Sequence, residues 1–168
     1  MSTLSIRTAT PADRAAIHTV EERAFGQKGE ADLVDAIVAD GDAVLELVAE
    51  DEGTVVGHIL FSRLIVDQDG RTFNAVSLAP LAVDPDFQSS GIGSALVREA
   101  HVRLKAAGEL LSVVLGEPDY YGRFHYSHER AAGFASVFQC EALQALSWGD
   151  APEKGRLIYA SAFGPEAR

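Results

Sequence analysis

Apolar and polar positions alternate first in "LSIRTAT" (residues 4–10), with Leu4 and Ile6 on one face, the pattern of a half-buried strand. The period then changes. Thr10-Pro11-Ala12-Asp13 reads as a helix start: Thr10 can accept from an orphan backbone N–H, Pro11 suits the first helical position, and Asp13 suits the positive end of the dipole. The helix is predicted to reach about Phe25, where Gly26 and Gly29 break it. "EADLVDAIVAD" restarts as a second helix with Leu33, Val34, Ile37 and Val38 on one stripe, ending near Gly41.

Residues 43–83 read as three strands of an antiparallel meander, turning at Gly53 and at "DQDG" (67–70). Helical spacing returns from Gly91 to about Ala107, with Ile92, Ala95, Leu96, Val102 and Leu104 apolar and Gly108 as C-cap. "LLSVVLG" is a continuous apolar run, as in a strand buried on both faces. Following a strand and a helix, it is expected to lie parallel to the 74–83 strand through a right-handed crossover. After Pro118 a short helix carries "YYGRFHY", and "GFASVFQCEAL" and "GRLIYASAF" read as closing strands around a Gly/Pro loop at 149–155. No repeat, linker or low-complexity segment interrupts the pattern, so one mixed α/β domain over 1–168 is expected.

Charge and cysteine usage narrow the partners. Fourteen basic against 25 acidic residues give a net charge of −11, which repels a phosphate backbone and excludes nucleic acid. The same charge either keeps a solvated surface soluble or draws in a cationic substrate. Cys140 is the single cysteine, and the five histidines contain no HExxH, so neither an intrachain disulfide nor a metal site is expected. No apolar run approaches the ~20 residues that cross a bilayer, and "MSTLSIRTATPAD" has no signal-peptide pattern. A cytoplasmic protein without a membrane partner is the expectation.

The chemistry concentrates in "LAPLAVDPDFQSSGIGSALVREA" (78–100). A strand that stops at Pro85, crosses a polar loop and enters a helix at Gly91 aims several backbone N–H groups at one spot, which attracts anions. Gly91 and Gly93 let a diphosphate approach the backbone, and Ser89, Ser90 and Ser94 add hydroxyl donors. A pyrophosphate cradle and a merely well-packed capped turn both satisfy this pattern. A dinucleotide fingerprint would want Gly or Ala where Leu96 stands, and a Walker loop would want Gly-Lys-Ser/Thr, which is absent.

"QSSGIG", from Gln88 through Ile92 to Gly93, resembles the Q/R-x-x-G-x-G/A loop of the GCN5-related N-acetyltransferases (GNAT). With "VVGHILFS", "VVLGEPDYYGRFHY" and "GRLIYASAF" the chain is similar to the YhbS-like branch of that superfamily. The resemblance implies a GNAT fold: a central mixed, mostly antiparallel sheet of about seven strands with a splayed parallel pair, flanked by helices. It implies acetyl-coenzyme A as cosubstrate, no metal, its pyrophosphate on residues 88–94, and its pantetheine arm hydrogen-bonded by Leu81, Ala82 and Val83. Pro80 fits a bulge there, because it removes a ladder donor.

The resemblance further implies transfer of an acetyl group to a primary amine by direct attack in a ternary complex, with Cys140 unused. Tyrosine is a usual general acid in this superfamily, four residues before a Gly-Phe pair. His125-Tyr126 stands in place of that pair, which puts Tyr121 at the acid position with Tyr120 as neighbouring rival. A backbone N–H of Leu81 or Val83 could stabilise the developing oxyanion. The 74–83 strand holds no acid, so the base is sought elsewhere: His58, which shares strand parity with Ser62, and Glu30 at the start of the second helix both match the branch. His58 read structurally is a satisfied sheet histidine, and Glu30 a helix N-terminal charge. Glu46, Glu50 and Glu117 are further candidates. The other class of function is an acyl-coenzyme A sensor that has lost catalysis. The acceptor, a small-molecule amine or a protein amino group, and homodimerisation stay open.

Overall fold

Proline and glycine set most element boundaries in the computed structural model, which describes residues 4–168. After β1 (Ser5–Thr8), Pro11–Asp13 form a 3-10 turn, and the α-helix proper, α1, runs over Arg14–Phe25. Thr10 and Asp13 form a capping box. The Thr10 N–H donates to Asp13 Oδ2 at 2.7 Å and its hydroxyl donates to the same atom at 3.1 Å. Gly26 at φ 69° closes α1, and α2 spans Gly29–Ala39.

β2 (Ala43–Asp51), β3 (Thr54–Gln68) and β4 (Arg71–Val83) form the expected meander. Its turns are Glu52-Gly53 and Asp69-Gly70, with positive φ at both central residues. That is the type I′ geometry whose twist matches paired strands. α3 (Ile92–Ala106) leads through Gly108 to β5 (Leu111–Leu115). β5 lies parallel to β4, in register from Val76↔Ser112 to Leu78↔Val114.

The closing segment departs from expectation. α4 (Pro118–Tyr121) stops early, a 3-10 turn covers Gly122–Phe124, and a second short helix, α5 (His128–Ala131), was not foreseen. Ser127 caps it, its hydroxyl accepting from the Arg130 N–H at 3.2 Å. "GFASVFQCEAL" yields only β6 (Phe134–Ala135) and the first residue of β7 (Leu143–Ser147). Between them, Ser136 Oγ accepts from Phe138 N–H, and the Gln139 amide donates to Ala131 O and Phe134 O, so side chains take the backbone's bonds away from a ladder. β8 (Gly155–Ile158) ends before Tyr159, and Ser161–Phe163 form a 3-10 turn instead of extending it.

The eight strands make one mixed sheet in the order β1-β2-β3-β4-β5-β7, with β8 paired to β3 and β6. The pairings β1–β2, β5–β7 and β3–β8 are antiparallel, and the two-residue β6–β8 contact joins β4–β5 as parallel. The chain divides into two compact units that interleave in sequence: Met1–Phe61 with Pro80–Arg103, and Ser62–Ala79 with Leu104–Arg168. In the first, Ile17, Val34, Ile37, Leu47 and Leu96 are fully buried, and a Cβ at Gly57 would lie 3.0 Å from both Ile92 and Leu96. The core of the second gathers Leu64, Val66, Leu111, Val113, Phe134 and Leu143. Among the described residues no helix is long and apolar enough to cross a membrane.

Gly133 shows how tight the second unit is, because a Cβ there would meet the Glu153 carbonyl oxygen at 2.3 Å. Gly133→Ala should therefore lower stability by about 1–3 kcal/mol, the usual cost of overpacking. Gly122→Ala, with open space at its Cβ, is the matched control. Thermal melts of the two variants should differ by several degrees, with Gly122→Ala at or above the native value.

Candidate active site

Three groups of predicted residues are placed by the fold. The first is the loop between β4 and α3. Asp84 N–H bonds Val56 O at 2.8 Å, and the Asp84 carboxylate accepts the Asp86 N–H at 2.9 Å. The Arg23 guanidinium forks onto the same carboxylate at 3.0 and 3.3 Å, tying α1 to the loop. Burial opposes ionisation of Asp84, but Arg23 and the Asp86 N–H outweigh it and hold the carboxyl below its ordinary range. Gln88 Nε2 donates to Val83 O at 3.1 Å and the Ser90 hydroxyl donates to Phe87 O, so both brace the loop internally.

Ser89 at φ 62° and Gly91 at φ 87° turn the chain through left-handed conformations. Gly91 O accepts the first helical bond, from Ala95 N–H at 3.0 Å. The N–H groups of Ile92 and Gly93 therefore have no acceptor within the helix. Ile92 is buried and anchors the turn, whereas Ser89, Ser90 and Gly91 are exposed. Backbone donors at the start of a helix are the kind of group that can hold an anion. Upstream on β4, Ala82 is buried with Leu81 and Val83 half-buried beside it.

The second group is a buried charge array in the same unit. His58, fully buried on β3, has Nδ1 at 2.6 Å from Glu21 Oε2 and Nε2 at 2.7 Å from Glu46 Oε2. Glu46 also takes an ion pair from Arg14. Burial alone would lower the imidazole's pKa, but hydrogen bonds to Glu21 and Glu46 outweigh it and the net shift is upward. Burial pushes the Glu21 carboxyl up despite His58. Glu46 goes the other way: burial opposes, but His58 and Arg14 hold it low. Glu30, half-buried in the first turn of α2, accepts from Gln27 Nε2 at 2.8 and 3.2 Å and acts electrostatically on Glu21.

Sequence reasoning missed Glu21. The signal was available, since Glu21 falls on the buried stripe of α1 with Ile17 and Val20, where a charge has no place unless it is paired. Ser62, grouped with His58 by strand parity, belongs to the other unit, and its hydroxyl is buried without a partner among the described residues. Glu50 pairs with Arg7, and Glu117 is exposed at the N-cap of α4.

The third group lies in the second unit. Tyr121 packs against Gly116, where a Cβ would fall 2.5 Å from its ring. Its ring meets Tyr120 edge-on at 5.0 Å and Tyr126 at 5.9 Å. Burial, then the neighbouring Tyr120, raises the Tyr121 phenol above the ordinary tyrosine range, so it is protonated at neutral pH. Its hydroxyl bonds no described residue, unlike that of Tyr126, which is 2.8 Å from Ser112 Oγ. Tyr120 instead carries the Arg123 guanidinium over its ring at 5.3 Å. His125 sits at φ 77°, the left-handed region glycine favours, so the residue standing for glycine keeps glycine's conformation.

The chain as a whole is similar to known proteins. The acetyltransferase (GNAT) domain family matches residues 5–128. The chain is 41% identical over 123 residues to YjhQ of Escherichia coli (strain K12), an uncharacterized N-acetyltransferase, covering 72% of this chain and 67% of YjhQ. It is 37% identical over 146 residues to YhbS of the same organism, likewise an uncharacterized N-acetyltransferase, covering 82% and 86%. The crystal structure of E. coli YhbS in complex with coenzyme A aligns over 97% of this chain and 93% of that one, with TM-score 0.88 and 30% identity. A GNAT family acetyltransferase from Brucella melitensis in complex with acetyl-coenzyme A aligns over 96% and 98%, with TM-score 0.82 and 34% identity. The chain belongs to the GNAT acetyltransferase family and is an N-acetyltransferase of the acyltransferase class.

The array makes a pH prediction. A histidine whose folded pKa is raised contributes stability that is complete below its unfolded value of about 6.5 and is lost as pH rises through the folded value. Glu21, also raised, has the same sign, its part being lost from about pH 4.3 upward, whereas the contribution of Glu46, lowered, is already complete at neutral pH. Native stability should therefore fall as pH climbs above about 6.5. His58→Gln should cost about 3–5 kcal/mol at pH 6, because it leaves two carboxylates facing a neutral amide. Denaturant melts across pH 6–9 should show the gap between native and variant narrowing with pH; a constant gap would mean that His58 is uncharged in the fold.

Proposed function

We propose that the chain transfers an acetyl group from acetyl-coenzyme A to a primary amine by direct attack in a ternary complex. The observation that carries this reading is the exposed turn at Ser89–Gly91, which opens α3 with backbone donors that have no acceptor in the helix. The loop 88–94 holds the pyrophosphate, and the backbone of Leu81, Ala82 and Val83 holds the pantetheine arm.

Each residue then has a stated task. An amine of pKa near 10.4 is protonated at pH 7, and Glu30, directly or through water, takes the proton it must lose. The N–H of Leu81 or Val83 donates to the carbonyl oxygen as it gains charge. The new C–N bond forms as the C–S bond breaks, Tyr121 gives its phenolic proton to the departing thiolate, and the nitrogen sheds its second proton to water, leaving free coenzyme A and an acetamide. Water returns the proton to Tyr121. His58 cannot face an amine with both ring nitrogens occupied, so it acts from behind, fixing Glu21 and Glu46.

Two features favour a second reading, a coenzyme-binding sensor without turnover: β4 has no carboxylate, and His58 is sealed in the interior. Release of coenzyme A in the presence of an amine panel separates the two.

Gly91→Val should weaken acetyl-coenzyme A binding at least tenfold, because a β-branched residue resists φ 87° and crowds the anion's place. Calorimetric titration gives the affinity, and unchanged binding in this variant would remove the cradle. Tyr121→Phe should lower kcat by about 10²- to 10⁴-fold, the range for a general acid, with coenzyme affinity unaltered. Tyr120→Phe is the control. A large loss in Tyr120→Phe with little in Tyr121→Phe would shift the acid by one residue.

A further inference from the structure

A cavity of about 200 Å³ opens within the second unit, lined by Leu78 and Ala79 of β4, Leu115 of β5, and the rings of Phe138, Tyr159 and Phe163. The rings are set against one another, Phe138 to Tyr159 at 5.0 Å and 87°, Tyr159 to Phe163 at 5.4 Å and 61°. Tyr159 is 5% exposed and meets both neighbouring rings edge-on. Leu115, although apolar, is 49% exposed. The parallel register ends at Leu78↔Val114, so Ala79 and Leu115 are the first residues on their strands beyond it.

No charged side chain lines this space, and its one polar wall is Ser77. Ser77 itself is 3% exposed. A lining so largely apolar suits an apolar ligand group. The volume exceeds the ~150 Å³ in which an apolar cavity holds benzene.

We propose that the acceptor amine carries a compact uncharged aromatic or branched apolar group that occupies this cavity. The assignment rests on the N-acetyltransferase reading above. Ala79 precedes Leu81 by two residues, about 7 Å of extended strand. A ring two carbons from the amine spans that distance, whereas a two-carbon acetyl group does not. The net charge of −11 attracts amines in general, but a polyamine finds no carboxylate in the cavity to hold its second charge.

The test compares 2-phenylethylamine, ethylamine and 1,4-diaminobutane as acceptors, with kcat/KM for the native chain, Leu115→Trp, and Val102→Trp as an exposed control on α3. 2-Phenylethylamine should lead by about ten- to hundredfold. Leu115→Trp should bring its ratio to ethylamine close to one, and Val102→Trp should leave the ratio at the native value. Ala79→Leu fills the same space should Leu115→Trp not fold. Equal kcat/KM across the amines would overturn the assignment, as would a Leu115→Trp effect confined to the ratio of butyryl- to acetyl-coenzyme A. If coenzyme A binds but no amine is turned over, calorimetric titration of 2-phenylethylamine into the coenzyme-loaded protein decides. Binding lost in Leu115→Trp keeps the cavity assignment while the catalytic reading fails, and absence of binding overturns the cavity assignment as well.

Discussion

A backbone amide or carbonyl that loses its partner must find another, and the stretch from Leu78 to Ser94 is organised around that constraint. The β4–β5 register ends at Leu78↔Val114. Pro80 brings no N–H to a place where one would be hard to satisfy, and α3 opens with donors its own geometry leaves unpaired. The surrounding side chains stabilise the loop itself: Gln88 on Val83 O, Ser90 on Phe87 O, and Arg23 on Asp84. A diphosphate held on backbone amides, as the proposed function requires, would need no positive side chain, which is compatible with so acidic a chain.

In the Glu21–His58–Glu46–Arg14 array charged groups are buried together, and their side chains link α1 to β2 and β3. Removing such charges from water is costly, and only mutual hydrogen bonding offsets the cost. The array is not fully satisfied: Glu21 Oε1 and Arg14 Nη1 are buried without partners. A core assembled for stability alone would place apolar side chains there. The physical expectation is a protonated imidazole holding two carboxylates at fixed spacing, with Glu30 close enough to feel Glu21.

What could be read from the sequence was whatever a local rule dictates. The meander turns were legible because Glu52-Gly53 and Asp69-Gly70 carry the residues a type I′ turn demands, and Pro11 marked the start of the first helix to within three residues. The loop between β4 and α3 was legible because strand end, polar loop and paired glycines are adjacent in sequence. What was not legible depended on distant partners. Residues 136–142 look like strand by composition, yet Ser136 and Gln139 turn them into a loop through bonds to Phe138, Ala131 and Phe134. Glu21 could be interpreted only with His58 in view, 37 positions away. The cavity between Ala79, Leu115 and three rings joins segments from 77 to 163, which no local pattern relates.

The departure at His125-Tyr126 shows how a motif can change letters while keeping its physics. What the chain requires after the 3-10 turn is a left-handed residue, and His125 supplies φ 77° at a steric cost of about 1–2 kcal/mol that glycine would not incur. What it requires next is a buried ring under Tyr121, and Tyr126 supplies one at 5.9 Å. A tyrosine there adds a hydroxyl that would be costly unpaired, and Ser112 on β5 accepts or donates at 2.8 Å to settle it. The histidine's left-handed backbone, the tyrosine's ring and the serine's hydroxyl thus act together beneath Tyr121, and each of the three would be costly without the others.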